Sequence, residues 1–480
     1  MIESRAAEMI CVASLSELQA KRVIVIAGRD RPIAVFWHDG QAHAVDNRCP
    51  HLGFPLHQGS VRDGLLTCHW HEARFDLCTG CTFDLWADDV PAFDTAIHDG
   101  TVYVAPMPRH IPNRADYLRR LTQGLEQEVS LVEAKSILGL RRTGAQWAEI
   151  LREIARFGAR NHDRWGEGLT LLAIAGNLLP QLSPESAYLV VYRASRQVGI
   201  DCSDAPARRQ REPLAKGEHA TSQLGRWMRT WVRARHRDAA ERTLLTALDQ
   251  FGLAPDVAKN GRLVQHAGNI SQERLEHSSE LADFVFTAAS ERVYAQIGHV
   301  FDGWNKAFEL LNFIGWSHAG EILPLAVPAT VAARGAEEDA HWHHPHELIE
   351  PLRAVEAELP EILDAARGRP SSAVADLSPV LLGDDPLEII GLVKNCLTEG
   401  VPPAELARQV AYAAAVRLAR FSKNNEVADW FNPRHTFIFA NAVHQAVKRC
   451  PTAGSVRGIF HTALSVYMDR FLNVPGAPSR

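Results

Sequence analysis

Between residues 8 and 105 the chain alternates short β-branched and aromatic runs with Gly, Asp and Asn punctuation: KRVIVIAG, PIAVFWHDG, QAHAVDN, GLLTCHW and TVYVAPM. Runs of this length and make-up predict short strands. The triplets HDG and RDG sit where two-residue hairpin turns belong. After PMPRHIPN, near residue 113, the period changes and stays changed. WAEILREIARFG, LGRWMRTWVRARH, AERTLLTALDQFG, LADFVFTAASERVYAQIG and PPAELARQVAYAAAVRLARF place apolar residues three and four apart, which predicts amphipathic helices. Pro and Gly punctuate them, as in LPQLSPES and LTEGVPPAEL. Almost nothing beyond residue 120 reads as a strand. The expected architecture is α+β and multidomain: an all-β domain over 1–112, then a large all-α domain of helix pairs over 113–480.

Composition narrows the function classes. A chain of 480 residues, 46% hydrophobic and 22% charged, is globular and longer than one ordinary domain. Its net charge of -6 provides no basic field, so nucleic acid is not an expected partner. The best apolar run, LTLLAIAGNLLP from Leu169, falls short of the roughly 18 residues of a membrane span, so no membrane is expected either. The opening MIESRAAEMI has neither a basic segment nor an apolar one and does not read as a secretory signal. Of the 8 cysteines, half lie between Cys49 and Cys81, unlike a disulfide framework. A cytoplasmic, reducing setting is the expectation.

That cysteine-rich window carries the sharpest signal. NRCPHLG and TCHWHEARFD place Cys49 and His51, then Cys68 and His71, as C-x-H followed by C-x-x-H. Two thiols and two imidazoles on paired loops within strand texture resemble the Rieske [2Fe–2S] domain over roughly residues 10–105, including Gly53 after the first motif. The resemblance implies that Cys49 and Cys68 hold one iron and that His51 and His71 hold the other. A Cys₂His₂ zinc site is the alternative reading of the same residues. Where respiratory Rieske proteins carry an extra cysteine pair bracing the loops, this chain has Phe54 and Trp70. Where they carry hydroxyl donors toward the cluster sulfurs, it has Ala73 and Phe75. Fewer such donors imply the low-potential branch found in oxygenases and their ferredoxins. Cys78 and Cys81 in LCTGC read either as a dithiol or second metal site, or as a turn with two ordinary cysteines; the second is expected.

The helical half offers weaker candidates. GHVFDGWN and RHTFIFAN repeat His-x-Phe-x₃-Asn, as His299, Phe301 and Asn305 and as His435, Phe437 and Asn441. These copies suggest degenerate internal repeats of helix pairs, which could bring His299 and His435 together. The layout faintly resembles the questin-oxidase-like helical proteins. His318 and Glu321 share a helical face at the spacing of a di-iron element in reversed order, the second place where an iron could sit. Glu338, His341 and His346 approximate an iron facial triad, though Arg334 and Pro345 depart from that pattern. The expected function is an oxidoreductase, oxygenase-like, whose cluster relays single electrons to a site in the helical domain acting on a small-molecule substrate. No dinucleotide-binding fingerprint follows a strand, so the electron donor is expected to be a separate reductase or ferredoxin. The alternative is a redox-sensing or electron-donating module whose helical domain only binds a partner.

Overall fold

The computed structural model describes residues 9–206, 208–209, 211–215, 217–253, 272–369 and 376–472; the opening residues 1–8, read above for a leader, lie outside them. The chain divides into two compact units, Met1–Ile150 and Leu151–Arg480.

In the first unit, nine strands form two antiparallel sheets. β1 (Ile10–Ser14), β2 (Val23–Ala27), β3 (Pro32–His38), β4 (Gln41–Asp46), β8 (Ala92–His98) and β9 (Thr101–Pro108) form one, in the order β1-β9-β8-β4-β3-β2. β5 (Ser60–Arg62), β6 (Leu65–Thr67) and β7 (Arg74–Asp76) form the other. The hairpins pair His38 with Gln41, Arg62 with Leu65 and His98 with Thr101 across Asp-Gly turns. Each turn has positive φ at both residues: 47° and 75° at Asp39-Gly40, 51° and 76° at Asp63-Gly64, 47° and 73° at Asp99-Gly100. This is the type I′ turn, whose twist matches that of the flanking strands. A short helix, α1 (Leu15–Lys21), starts at Ser14, whose side chain accepts the Glu17 N–H.

From Arg114 onward the described residues hold 17 helices and no strand. The first two, α2 (Arg114–Glu126) and α3 (Ser130–Arg142), pack on each other and belong to the first compact unit. The change of texture near residue 113 and the division at residue 150 therefore do not coincide. Periodicity reports local conformation, whereas compactness reports which surfaces a segment is packed against.

In the second unit, neighbouring helices pair: Glu167–Leu178 with Pro184–Cys202, Pro403–Ala419 with Phe431–Arg449, and the latter with Ala453–Met468. Helix Ala453–Met468 is buried almost throughout. Its Thr462 and Ser465 hydroxyls donate to the carbonyls of Gly458 (2.7 Å) and His461 (2.8 Å), which satisfies them inside the core. No described helix is long and apolar enough to cross a membrane.

Candidate metal centre

Cys49 follows β4, and Cys68 lies between β6 and β7. The two loops make the same turn. The Cys49 N–H donates to the Phe54 carbonyl (2.7 Å), and the Cys49 carbonyl accepts the Gly53 N–H (2.8 Å). In the second loop the Cys68 N–H donates to the Ala73 carbonyl and the Cys68 carbonyl accepts the Glu72 N–H, both at 2.9 Å. The residue four places after each cysteine has a left-handed backbone: Gly53 at φ 87° and Glu72 at φ 62°. Glycine adopts that conformation without a steric cost, which explains GFP in the first loop. Asn47 fastens the first loop from behind, its Oδ1 accepting the His57 N–H at 2.8 Å.

The turns aim like groups at each other. Both cysteines are buried in one core cluster with Leu66, Ala73 and Phe75. Their side chains hydrogen-bond, and the Cys49 sulfur also accepts the backbone N–H groups of His51 and Leu52. Burial, the largest cause, pushes the Cys49 thiol up to about 11. A positively charged partner reverses that preference and holds such sulfurs as thiolates. The rings of His51 and His71 stand edge to face with centroids 4.8 Å apart. The Nδ1 of His51 is buried and has no hydrogen-bond partner. Burial, then His71 and Lys135, hold the His51 pKa below its ordinary value, which favours the neutral, ligating form.

Among the described residues, no group of three or more His, Cys, Asp or Glu side chains gathers around a single point. The four form two pairs instead. One zinc ion needs all four donors about itself, whereas a mixed binuclear cluster takes two thiolates on one iron and two imidazoles on the other. Paired donors, buried thiols and an orphaned ring nitrogen fit such a cluster.

Phe54 and Trp70 meet across the two loops with ring centroids 6.0 Å apart, where respiratory relatives would place their brace. Ala73 and Phe75 are fully buried and offer no hydroxyl. Cys78 and Cys81 are free and exposed in a turn, their N–H groups donating to Asp76 Oδ1 (2.9 Å) and Thr79 Oγ1 (3.2 Å).

Two neighbours carried no sequence signal. Trp86 packs edge-on against His51, 4.7 Å between centroids. Lys135 of α3 donates to the carbonyls of Pro50 and His51 and pairs with Asp88 at 3.3 Å, while Arg120 of α2 holds Asp88 at 3.0 Å. Both contacts span many residues, so no short motif announces them.

The helical candidates fare unevenly. His299 and His435 do meet, with centroids 4.6 Å apart. The Nδ1 of His435 lies 2.5 Å from the Phe431 carbonyl, which fixes Nδ1 as the donor. The rest of the repeat is not equivalent: Phe301 and Asn305 are buried, whereas Phe437 and Asn441 are exposed. His318 stands 4.0 Å from Glu321, but Glu321 is engaged by Arg156 at 3.2 Å. Glu338 is held by Arg235, Arg292 and Arg334, and His343 rather than His341 finds a carboxylate, Glu347 at 2.6 Å.

Comparison with known proteins agrees with the geometry. The model of the Rieske [2Fe-2S] domain matches residues 8–93. A Rieske domain-containing protein of Homo sapiens is 33% identical over 82 residues, 16% of this chain and 52% of that protein. The 4beta-methylsterol monooxygenase of Methylococcus capsulatus is 41% identical over 73 residues, 12% of this chain and 20% of that protein. The chain thus spans about half of the first relative and about a fifth of the second. The 3-phenylpropionate/cinnamic acid dioxygenase ferredoxin subunit of Photorhabdus laumondii subsp. laumondii is 35% identical over 74 residues, 15% of this chain and 70% of that subunit. Through residues 8–93, with their matched turns and facing cysteine and histidine pairs, this chain belongs to the Rieske [2Fe-2S] family.

Proposed function

We propose that this chain is a Rieske oxidoreductase, oxygenase-like, in which Cys49 and Cys68 hold one iron of a [2Fe–2S] cluster and His51 and His71 hold the other. The pairing of like donors on two matched turns carries the reading. Such a cluster supplies one-electron transfer. The protein around it sets where electrons pass and at what potential. His71 is exposed, with Leu52 and Trp70 also exposed beside the histidine loops, which suits a docking face for a separate reductase or ferredoxin. Trp86 covers His51, and Lys135 fixes its carbonyl, so the two imidazoles differ in their access to solvent. The likeness to a monooxygenase and to a dioxygenase ferredoxin subunit supports electron delivery to an oxygen-consuming reaction, with the helical unit as the place for substrate.

A second reading keeps the cluster and drops the chemistry: an electron-donating module whose helical unit binds a partner. The match to most of a ferredoxin subunit favours it. Both readings require the cluster. The purified protein should be brown, contain iron and acid-labile sulfide in equal amounts, and give the low-average-g EPR signal of a mixed His/Cys cluster on reduction. A colourless protein carrying one zinc refutes the assignment.

A further inference from the structure

The residues that match the Rieske model end at 93, yet Arg120 and Lys135 reach the loops around His51 from beyond that point. Both belong to the α2–α3 pair. Asn113 caps α2 by accepting the N–H groups of Ala115 and Asp116. On α3, Gly139 leaves room for the Tyr117 ring of α2 where a side chain would otherwise stand, so the two helices approach closely.

Lys135 is held from three sides. An ammonium has three donors. Lys135 directs them to the Pro50 carbonyl, the His51 carbonyl (3.1 Å) and Asp88 Oδ2 (3.3 Å). Arg120 holds Asp88 from the other side: its Nε donates to Oδ1 at 3.0 Å, and its Nη2 donates to the carbonyls of Leu85 (2.9 Å) and Ala87. The segment fixed in this way carries Trp86, whose ring packs on His51. Side-chain exposure is 32% for Lys135 and Asp88 and 16% for Arg120, so water screens these charges only in part. Two cations share one carboxylate, which leaves positive charge in excess beside the His51 loop. Arg120 already ties α2 to the 85–88 segment through Asp88. A brace alone would not need a second cation seated on the carbonyl of His51.

We propose that Lys135 is a positioning residue that acts through His51: its ammonium, fixed on the His51 carbonyl, raises the reduction potential of the cluster proposed above. The inference rests on that cluster assignment. One-electron reduction adds negative charge, and a cation held nearby favours the reduced state. Hydroxyl donors would have the same effect, and Ala73 and Phe75 provide none. Lys135 thus offsets part of what those two positions lack.

The test is a redox titration of the full-length holoprotein, comparing the parent with Lys135→Met, Lys135→Arg and Asp88→Asn. Each protein is first checked for the mixed His/Cys EPR signal and for iron and sulfide content. Lys135→Met removes the charge and keeps the bulk of the side chain. It should shift the one-electron equilibrium toward the oxidised form about three- to tenfold, a fall of roughly 30–60 mV at about 59 mV per decade. Lys135→Arg keeps the charge and should restore most of the potential. Asp88→Asn keeps the shape, removes the opposing charge and should raise the potential. Opposite signs separate charge from bracing, because a loosened loop gives no reason for them. Where Lys135→Met loses the cluster, Asp88→Asn decides alone: a higher potential supports the role, and an unchanged or lower one overturns it. An intact cluster at the parent potential in Lys135→Met overturns the role of Lys135 and leaves the cluster assignment standing. A parent protein without a [2Fe–2S] cluster overturns both.

Discussion

The buried carboxyl in the helical unit makes a measurable statement about stability. In the folded protein burial raises Asp469, and Thr436 and Arg417 counter this only in part, which leaves its pKa at about 7 against an ordinary 3.8. Between those values the folded state keeps a proton that the unfolded chain has already released. Stability is therefore highest below the unfolded value and falls as pH rises through the window. The displacement of about three units corresponds to about 4 kcal/mol in full, of which roughly 2 to 3 kcal/mol is expressed between about pH 5 and about pH 8. Asp469→Asn keeps the shape of the neutral acid and has no proton to lose. Urea unfolding followed by tryptophan fluorescence, run across this range on both proteins, isolates the difference, because every other titrating group is shared. The variant should gain steadily on the parent, reaching roughly 2 to 3 kcal/mol at the alkaline end. Parallel profiles would refute the reasoning, since they would mean that Asp469 ionises as freely in the folded protein as in the unfolded chain.

Three other outcomes follow. Cys68→Ser should abolish the visible absorption of the cluster while α2 and α3 stay folded, as followed by absorbance and circular dichroism; retained colour would show that Cys68 is not a ligand. Phe75→Tyr introduces a hydroxyl at a fully buried site beside the cysteines and should raise the reduction potential in protein-film voltammetry, since an added donor stabilises the more negative reduced cluster. An unchanged potential with an intact cluster would defeat the low-potential argument. In the core of the second unit, burial raises the Glu356 pKa but the hydrogen bond from His461 (2.7 Å) and the charges of His461 and Arg353 more than offset it, lowering it to about 2. Its stabilisation is thus present above the ordinary 4.5 and lost as pH falls toward about 2. Glu356→Gln should cost about 3 kcal/mol near neutral pH, with the gap to the parent narrowing below about pH 4.5 in denaturant titrations.

Local pattern carried a good deal of this protein. The Asp-Gly turns were legible because a type I′ turn needs two residues with positive φ in succession, and Asp-Gly is among the few pairs that supply them. The four residues proposed to hold the cluster were legible because the turn that presents each pair is short, so Cys49 with His51 and Cys68 with His71 lie within three positions of each other. The helices showed through their apolar period.

Other features depend on segments far apart in sequence. Lys135 reaches the His51 carbonyl from α3, and nothing in SLVEAKSILG distinguishes that lysine from a solvated one. The repeat of His299 and His435 correctly anticipated a meeting, but not that Phe301 and Phe437 would take opposite environments. Nothing local marks Asp469, because its raised pKa comes from burial, with Thr436 and Arg417 brought beside it from other segments. Strands, helices, turns and the paired Cys and His motifs could all be read along the chain, because each depends on residues close in sequence. Only the tertiary structure decided which side chains lost water and which charges found partners, because desolvation and packing are properties of surfaces brought together across the fold.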